Sequence, residues 1–309
     1  MNPYNIATLT VNPAVDKSTH LRGLVPEQKI RCDAPRYDAG GGGINVSKAI
    51  ARLGGNPLTI FTAGGASGQM LAELLQHEAI ACQAIGTKNT TRENFVAVDD
   101  NTNSQYRFGF PGAAISTSET AKIIDAISQL KSEFLVLSGS LNTSLSVDFY
   151  KQLAIIAKKA AIKVIVDTSG EALEKALEAG VYLIKPNVGE LAKLIGVAQL
   201  EMEQVQQAAQ QVIAKGGAEI VVVSLGAQGA VLVTKEVCEY VPAPNVAKKS
   251  TVGAGDSMVG GMVWALSQKK SLKEVLCWGV ACGTAATMNE GTQLFQTTDA
   301  KRLYDWMSS

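Results

Sequence analysis

The segment Ser250-Thr251-Val252-Gly253-Ala254-Gly255-Asp256-Ser257-Met258-Val259-Gly260-Gly261 sets three small residues and a carboxylate directly before an apolar run with helical spacing. Gly253, Ala254 and Gly255 let the chain turn tightly and carry bare N–H groups up against a ligand. A helix starting at Gly255 or Asp256 would aim its unpaired N–H groups and the positive end of its dipole at one point. Such a point holds phosphate or a developing anion, worth up to about 2 kcal/mol when partly buried. Asp256 at its mouth is placed to take a proton from an attacking hydroxyl, and an anion hole beside a base is the equipment of phosphoryl transfer. On these residues alone the commoner arrangement is a turn with Asp256 as an N-cap.

Two further segments bear on that choice. Gly40-Gly41-Gly42-Gly43-Ile44-Asn45 precedes a run of small and apolar residues and lets a ligand lie on backbone at a helix start. By itself it is equally a hinge or a loose dinucleotide loop, and no G-x-x-x-x-G-K-[ST] occurs in the chain. Lys185-Pro186-Asn187-Val188-Gly189-Glu190 follows a short strand and enters a helix. Asn187 and Glu190 there suit a capping box. They also suit a hydrated Mg²⁺ carrying nucleotide phosphates, because that ion keeps several waters. The two readings are compatible.

The elements that must position these segments alternate along the chain. Short β-branched runs at 6–11, 58–61, 134–137, 164–166, 183–185 and 220–223 predict strands. Helical patterns fall at 44–53, 68–75, 147–159, 171–178, 189–195, 202–214, 256–266, 272–287 and 299–307. That order implies an α/β fold with a mostly parallel sheet covered by helices on both faces. Two excursions, at about 16–38 and 92–110, alternate polar and apolar residues without helices. They predict antiparallel strands forming a small lid, with a hairpin about 99–103. A second hairpin, 229–241, is expected at the sheet edge. No repeat or low-complexity linker divides the chain, so residues 1–309 are expected to form a single domain.

Composition narrows the function classes. The chain has 309 residues, 46% hydrophobic and 18% charged, with 28 basic and 28 acidic side chains. A chain of this size buries roughly three quarters of its unfolded surface and needs no staple. Zero net charge argues against a nucleic-acid footprint. No apolar run approaches the roughly 20 residues of a membrane span, and Met1-Asn2-Pro3-Tyr4-Asn5 has no leader pattern, so a cytoplasmic protein is expected. The five cysteines, without C-x-x-C spacing, read as buried thiols of a reducing compartment. With only His20 and His77, a Ser-His-Asp hydrolase is a poor fit.

Taken in order, Gly-Gly-Gly-Gly-Ile-Asn at 40–45, Asn-x-x-Glu at 187–190, Ser224-Leu225-Gly226-x-x-Gly229 and Thr-Val-Gly-Ala-Gly-Asp at 251–256 resemble the ribokinase-like (PfkB) sugar kinases. The resemblance covers essentially the whole chain and points to the phosphosugar branch. It implies a ribokinase-like three-layer sandwich with a β-sheet lid. It implies ATP-dependent phosphorylation of a ketohexose phosphate, fructose 6-phosphate foremost, with tagatose 6-phosphate and fructose 1-phosphate as alternatives. Asp256 would be the base and Gly253, Ala254 and Gly255 the anion hole. Asp16, Gly41, Gly42, Asn45 and Ser140 would hold the sugar, and Lys29, Arg31 and Arg92 its phosphate, for which arginine's planar fork is suited. Lys185, Asn187, Glu190, Ser224, Gly226 and Gly229 would line the MgATP site, with Asn187 and Glu190 near the Mg²⁺. A K⁺ ion beside the anion hole and a homodimer paired through the lid are further expectations. After Ser138-Gly139-Ser140-Leu141 the relatives continue Pro-Pro-Gly, whereas this chain has Asn142-Thr143-Ser144. A non-catalytic sugar-phosphate sensor, which would bind without releasing ADP, is the alternative from another class.

Overall fold

The computed structural model describes residues 4–291 and 293–308; residues 1–3, part of the N-terminal segment read for a leader, lie outside it. The main sheet takes strands β1 (Ile6–Thr10), β4 (Pro57–Ala63), β5 (Cys82–Gly86), β8 (Phe134–Ser138), β9 (Lys163–Asp167), β10 (Val181–Ile184), β11 (Ala218–Ser224), β12 (Ala230–Val233) and β13 (Cys238–Val241). Its order is β13-β12-β11-β10-β9-β8-β1-β4-β5. From β11 to β5 every pairing is parallel, and β12 and β13 close one edge as the expected antiparallel hairpin.

The parallel strands are apolar at nearly every position because both faces are covered. In β8, Phe134 and Val136 enter one core while Leu135 and Leu137 enter the other. The first core holds α1 (Gly42–Arg52), α8 (Ala254–Ser267), α9 (Leu272–Thr287) and α10 (Thr297–Ser308) through Ile50, Val259, Val280 and Leu303. The second holds α3 (Thr117–Ser128), α4 (Phe149–Lys159), α5 (Glu171–Leu177), α6 (Val188–Ile195) and α7 (Val205–Ala214) through Ile123, Leu153, Leu173, Leu191 and Val212. The result is the three-layer sandwich expected.

Strands β2 (Ala14–Leu21), β3 (Arg36–Gly40), β6 (Arg92–Asp99) and β7 (Ser104–Phe108) form a separate sheet in the order β3-β2-β6-β7. Its base packs on α2 (Gly65–His77), where Val15 and Ala39 meet Leu71 and Leu75. The expectation of purely antiparallel strands is corrected at the centre: β2 and β6 are parallel, Ala14 opposite Arg92. Both leave the ends of main-sheet strands in the same direction, and β3 and β7 return. β2 begins at Ala14 and β3 ends at Gly40.

Two elements had no counterpart in the periodicity. Edge strand β5 buries only Ile85. Helix α3 is announced instead by Ser116 and Glu119, which form a capping box. The cysteines also need correction. Cys277 and Cys282 are buried, but Cys32 and Cys238 are exposed, Cys238 at the start of the outermost strand β13.

Gly261 on α8 lies directly against α9. A Cβ there would stand 2.6 Å from the Trp278 carbonyl oxygen and 2.9 Å from Cys282 Sγ. Gly261→Ala is therefore expected to destabilise by about 1–3 kcal/mol through overpacking, read as a Tm lowered by a few degrees. Gly86→Ala, where a Cβ meets nothing within 4 Å, leaves Tm unchanged.

Candidate functional site

In an open parallel sheet, ligands gather beyond the C-terminal strand ends. Here β8 ends at Ser138, β9 at Asp167, and β10 leads into Lys185. Helix α8 points its N-terminus at the same place. Its N-cap is Gly253 in a left-handed conformation (φ 71°), with no side-chain cap. Asp256 is thus not the cap but stands in the first turn, where its Oδ2 accepts a 2.8 Å hydrogen bond from Asn45 Nδ2 on α1.

Lys185 faces both acids. Its Nζ lies 3.4 Å from Asp167 Oδ1, and its side chain is only 9% exposed. A Cβ on Gly255 would be 3.5 Å from that Nζ, an ordinary contact distance that puts the ammonium beside the helix start. Burial, and then the Asp167 carboxylate, push the Asp256 carboxyl up to about 6, against the opposing pull of Asn45 and Lys185. Burial works against the Lys185 charge, but Asp167, Asp256 and Glu190 outweigh it and hold the ammonium above its ordinary value. Asp256 is a half-buried carboxylate of raised basicity aimed into a cleft.

The glycine run brings α1 against the sheet. Gly41 has φ 126°, and a Cβ on it would lie 2.7 Å from Thr10 Cγ2. One on Gly42 would lie 2.7 Å from the Gly139 amide nitrogen, so neither position admits a side chain. Asp16 on β2 accepts a 2.8 Å hydrogen bond from Asn94 Nδ2 on β6, and burial raises its carboxyl above the ordinary range. Arg92 donates to the carbonyls of Asn12 and Phe110, each at 3.0 Å, at the foot of the lid. Ser140 Oγ accepts from Asn12 Nδ2 at 3.3 Å. Lys29 and Arg31 are not brought to Asp256 within one chain. They line a separate pocket of about 350 Å³ at the lid's outer end, with Arg22, Asp33 and Asp100.

On the other side of α8 a polar cavity of about 590 Å³ is lined by Ser140, Asp167, Lys185, Asn187, Glu190 and Ser224. It adjoins an apolar pocket of about 360 Å³ that holds Gly226, Gly229, Val246, Met258 and Val280. Ser224, Thr251 and Gly255 belong to both. Asn187 and Glu190 do form a reciprocal capping box, at 2.8 and 2.9 Å, and still border the polar cavity. Among the described residues no three His, Cys, Asp or Glu side chains cluster as a metal cage. Separate carboxylates on a roomy polar cavity fit a hard cation that keeps its waters and takes phosphate oxygens as its other ligands.

Sequence reasoning missed Asp167, whose signal was an acid closing the buried run Val164-Ile165-Val166. It also missed Asn94, and the apolar lining residues Val246, Met258 and Val280, which carry no local mark distinguishing them from core.

The chain is similar to known proteins along nearly its whole length. The family profile "pfkB family carbohydrate kinase" matches residues 8–299. The chain is 43% identical over 305 residues to ATP-dependent 6-phosphofructokinase isozyme 2 of Escherichia coli (strain K12), covering 98% of this chain and 99% of that one. It is 33% identical to 1-phosphofructokinase of Rhodobacter capsulatus, over 94% of this chain and 92% of the relative. A solved structure of phosphofructokinase-2 from Escherichia coli in complex with potassium superposes with a TM-score of 0.96 at 43% identity, covering 99% of this chain and 100% of that chain.

The Asn45 contact generates a prediction with a definite sign. Its N–H donation favours the ionised form of Asp256. Asn45→Ala should move the Asp256 titration upward from about 6, followed by carboxyl NMR on ¹³C-labelled protein.

Proposed function

Because the chain belongs to the pfkB family of carbohydrate kinases, we propose that it transfers the γ-phosphoryl group of ATP to the C1 hydroxyl of fructose 6-phosphate, giving fructose 1,6-bisphosphate and ADP. The observation that carries the reading is the Asp256 carboxylate at the mouth of α8, held by Asn45 and raised to about 6. A base of that strength is ionised at neutral pH and still able to accept a proton.

The acceptor oxygen attacks the γ-phosphorus as its proton passes to Asp256, and the bond to the β,γ-bridging oxygen breaks to release ADP. Backbone N–H groups at Gly253, Ala254 and Gly255 stabilise charge on the transferring group. Asp16, Gly41, Gly42, Asn45 and Ser140 hold the sugar, with Arg92 toward its phosphate. Lys29 and Arg31, farther out on the lid, join the phosphate when the lid closes, which also excludes water. Lys185 balances the phosphate and carboxylate charge, the cavity with Asn187 and Glu190 takes the triphosphate, and the apolar pocket beyond Ser224, Gly226 and Gly229 takes the base. Mg²⁺, approached from Asn187 and Glu190 through water, with Asp167 on the same cavity, would neutralise charge on the nucleotide phosphates.

Potassium would be held by backbone carbonyls, and the segment before α8 is pinned beside such a group by Ser250, whose Oγ donates to the Gly291 carbonyl at 3.1 Å. The reading also includes a homodimer through the lid. β3 and β7 are the edge strands of the lid sheet, Phe108 and Phe110 stand exposed at the end of β7, and Leu24 and Val25 stand exposed in the segment after β2. It includes a single domain with lid excursions, and a cytoplasmic location, where ATP is available and five unpaired thiols stay reduced.

The 1-phosphofructokinase relatives, at about one third identity, support a second reading in which fructose 1-phosphate is the acceptor. ADP release with MgATP against fructose 6-phosphate, tagatose 6-phosphate, fructose 1-phosphate, fructose and ribose separates them. The expected outcome is the highest kcat/KM for fructose 6-phosphate. Turnover only with free sugars overturns the phosphate-site reading, and binding without ADP release supports a sensor. Asp256→Asn should lower kcat by about 10²–10⁴-fold. For the unaltered chain, kcat/KM should fall as pH drops through about 6 and the base becomes protonated.

A further inference from the structure

Lys48 is a buried ammonium that the phosphoryl-transfer scheme does not use. It projects from α1, the helix that carries Asn45, with its side chain only 6% exposed. Its Nζ lies 2.7 Å from Glu78 Oε1, at the C-terminal end of α2, and 3.4 Å from the carbonyl oxygen of Ala39 on lid strand β3. One charged group therefore joins three elements: the helix that opens the sugar site, the helix under the lid, and the lid itself.

The residue it holds is a sensitive one. Ala39 pairs with Val15 and Asp38 with Asp16 across the β2–β3 ladder. Gly40, next in line, lies so close to the Asp16 carboxylate that a Cβ could not be added without displacing it. The chain then enters Gly41 and Gly42, both fixed against the main sheet. A shift of the β3 backbone at Ala39 is thus passed directly to Asp16. A second polar link supports the same junction: Ser67 Oγ near the start of α2 donates to Glu93 Oε1 on β6 at 2.5 Å.

We propose that Lys48 is a positioning residue for the sugar site, clamping the base of the lid to α1 and α2 so that Asp16 is held at its working place. This rests on Asp16 being a sugar-binding group, as set out above. Stability alone is a poor reason for the arrangement, since a buried ion pair contributes little that a packed apolar side chain would not. The ammonium instead fixes geometry, and its charge also favours the ionised form of Asp16, as Arg92 and the Asn94 amide do, against burial and the Asp38 carboxylate.

The test uses the full chain with Lys48→Met, which keeps the aliphatic stem, Lys48→Arg, which restores a charge, and Glu78→Gln. Under the proposal Lys48→Met raises KM for fructose 6-phosphate about tenfold, the scale of a lost charged hydrogen bond, with kcat and the KM for MgATP changed less than about threefold. Lys48→Arg recovers most of the loss, and Glu78→Gln shifts KM in the same direction by less. In the substrate-free protein, Lys48→Met also moves the Asp16 titration upward by NMR. A lower Tm with unchanged KM and unchanged Asp16 titration would mean that Lys48 is only structural. If Lys48→Met does not fold, Glu78→Gln with unchanged KM overturns the clamp. Failure of every sugar phosphate as a substrate, with the Asp16 titration still responding to Lys48, would instead count against the functional reading.

Discussion

One ammonium set among acids at the end of a parallel sheet governs the rest of the site. Lys185 lies against Asp167 and is drawn on by Asp256 and Glu190, in a place where burial penalises the charges of Lys185 and Asp256. Three carboxylates around one ammonium leave the cluster net negative before any substrate arrives. The start of α8 offsets this with its unpaired N–H groups, and the balance leaves Asp256 more basic than an ordinary aspartate. Bringing a polyphosphate to such a place requires further positive charge, which explains why a hydrated divalent ion belongs to the reading and why the cavity around Lys185 is roomy and polar.

The geometry that permits this is the close approach of helices to strand ends. Helix α1 presses its first turn against the ends of β1 and β8, which is possible only because Gly41 and Gly42 have no side chains. That contact sets the position of Asn45, and Asn45 in turn holds Asp256 from across the cleft. The Asp256 carboxylate therefore rests on two helices from opposite ends of the sequence, α1 and α8, both anchored in the same core through Val46, Ile50, Val259 and Met262. Neither helix alone would fix it.

Much of this was legible in the sequence, for physical reasons that also mark where legibility stopped. Strands buried on both faces announce themselves as β-branched runs, so β8 through β11 were plain, whereas edge strand β5 buries one side chain and left no signal. The glycine-rich turns were visible because only small residues fit where backbone meets backbone. The ambiguity at Asn187 was real: the capping geometry and the cavity-lining position coexist. The direction of β2 against β6 could not be read, because parallel pairing depends on where each strand departs from the main sheet. Lys29 and Arg31 were recognisable as cations of the lid, but their distance from Asp256 is a matter of tertiary placement.

The lid then has a double requirement. Under the proposed function its outer end moves to admit and enclose a sugar phosphate, while its base keeps Asp16 and Arg92 in place relative to Asn45 and Asp256. The structure separates the two. At the base, Val15 and Ala39 are buried against Leu71 and Leu75, Arg92 is tied to backbone carbonyls, and polar links from Ser67 and Lys48 reach β6 and β3. At the outer end the chain between β2 and β3 is largely exposed and is tied by the isolated bridge of Leu21 to Cys32, by the Thr19 hydroxyl donating to the Asp33 carbonyl at 2.8 Å and by the Gly23 N–H donating to Asp99 Oδ1 at 3.0 Å. Burial holds the base of the lid, whereas the outer end is exposed and tied by surface polar contacts, the His20–Asp100 ion pair among them.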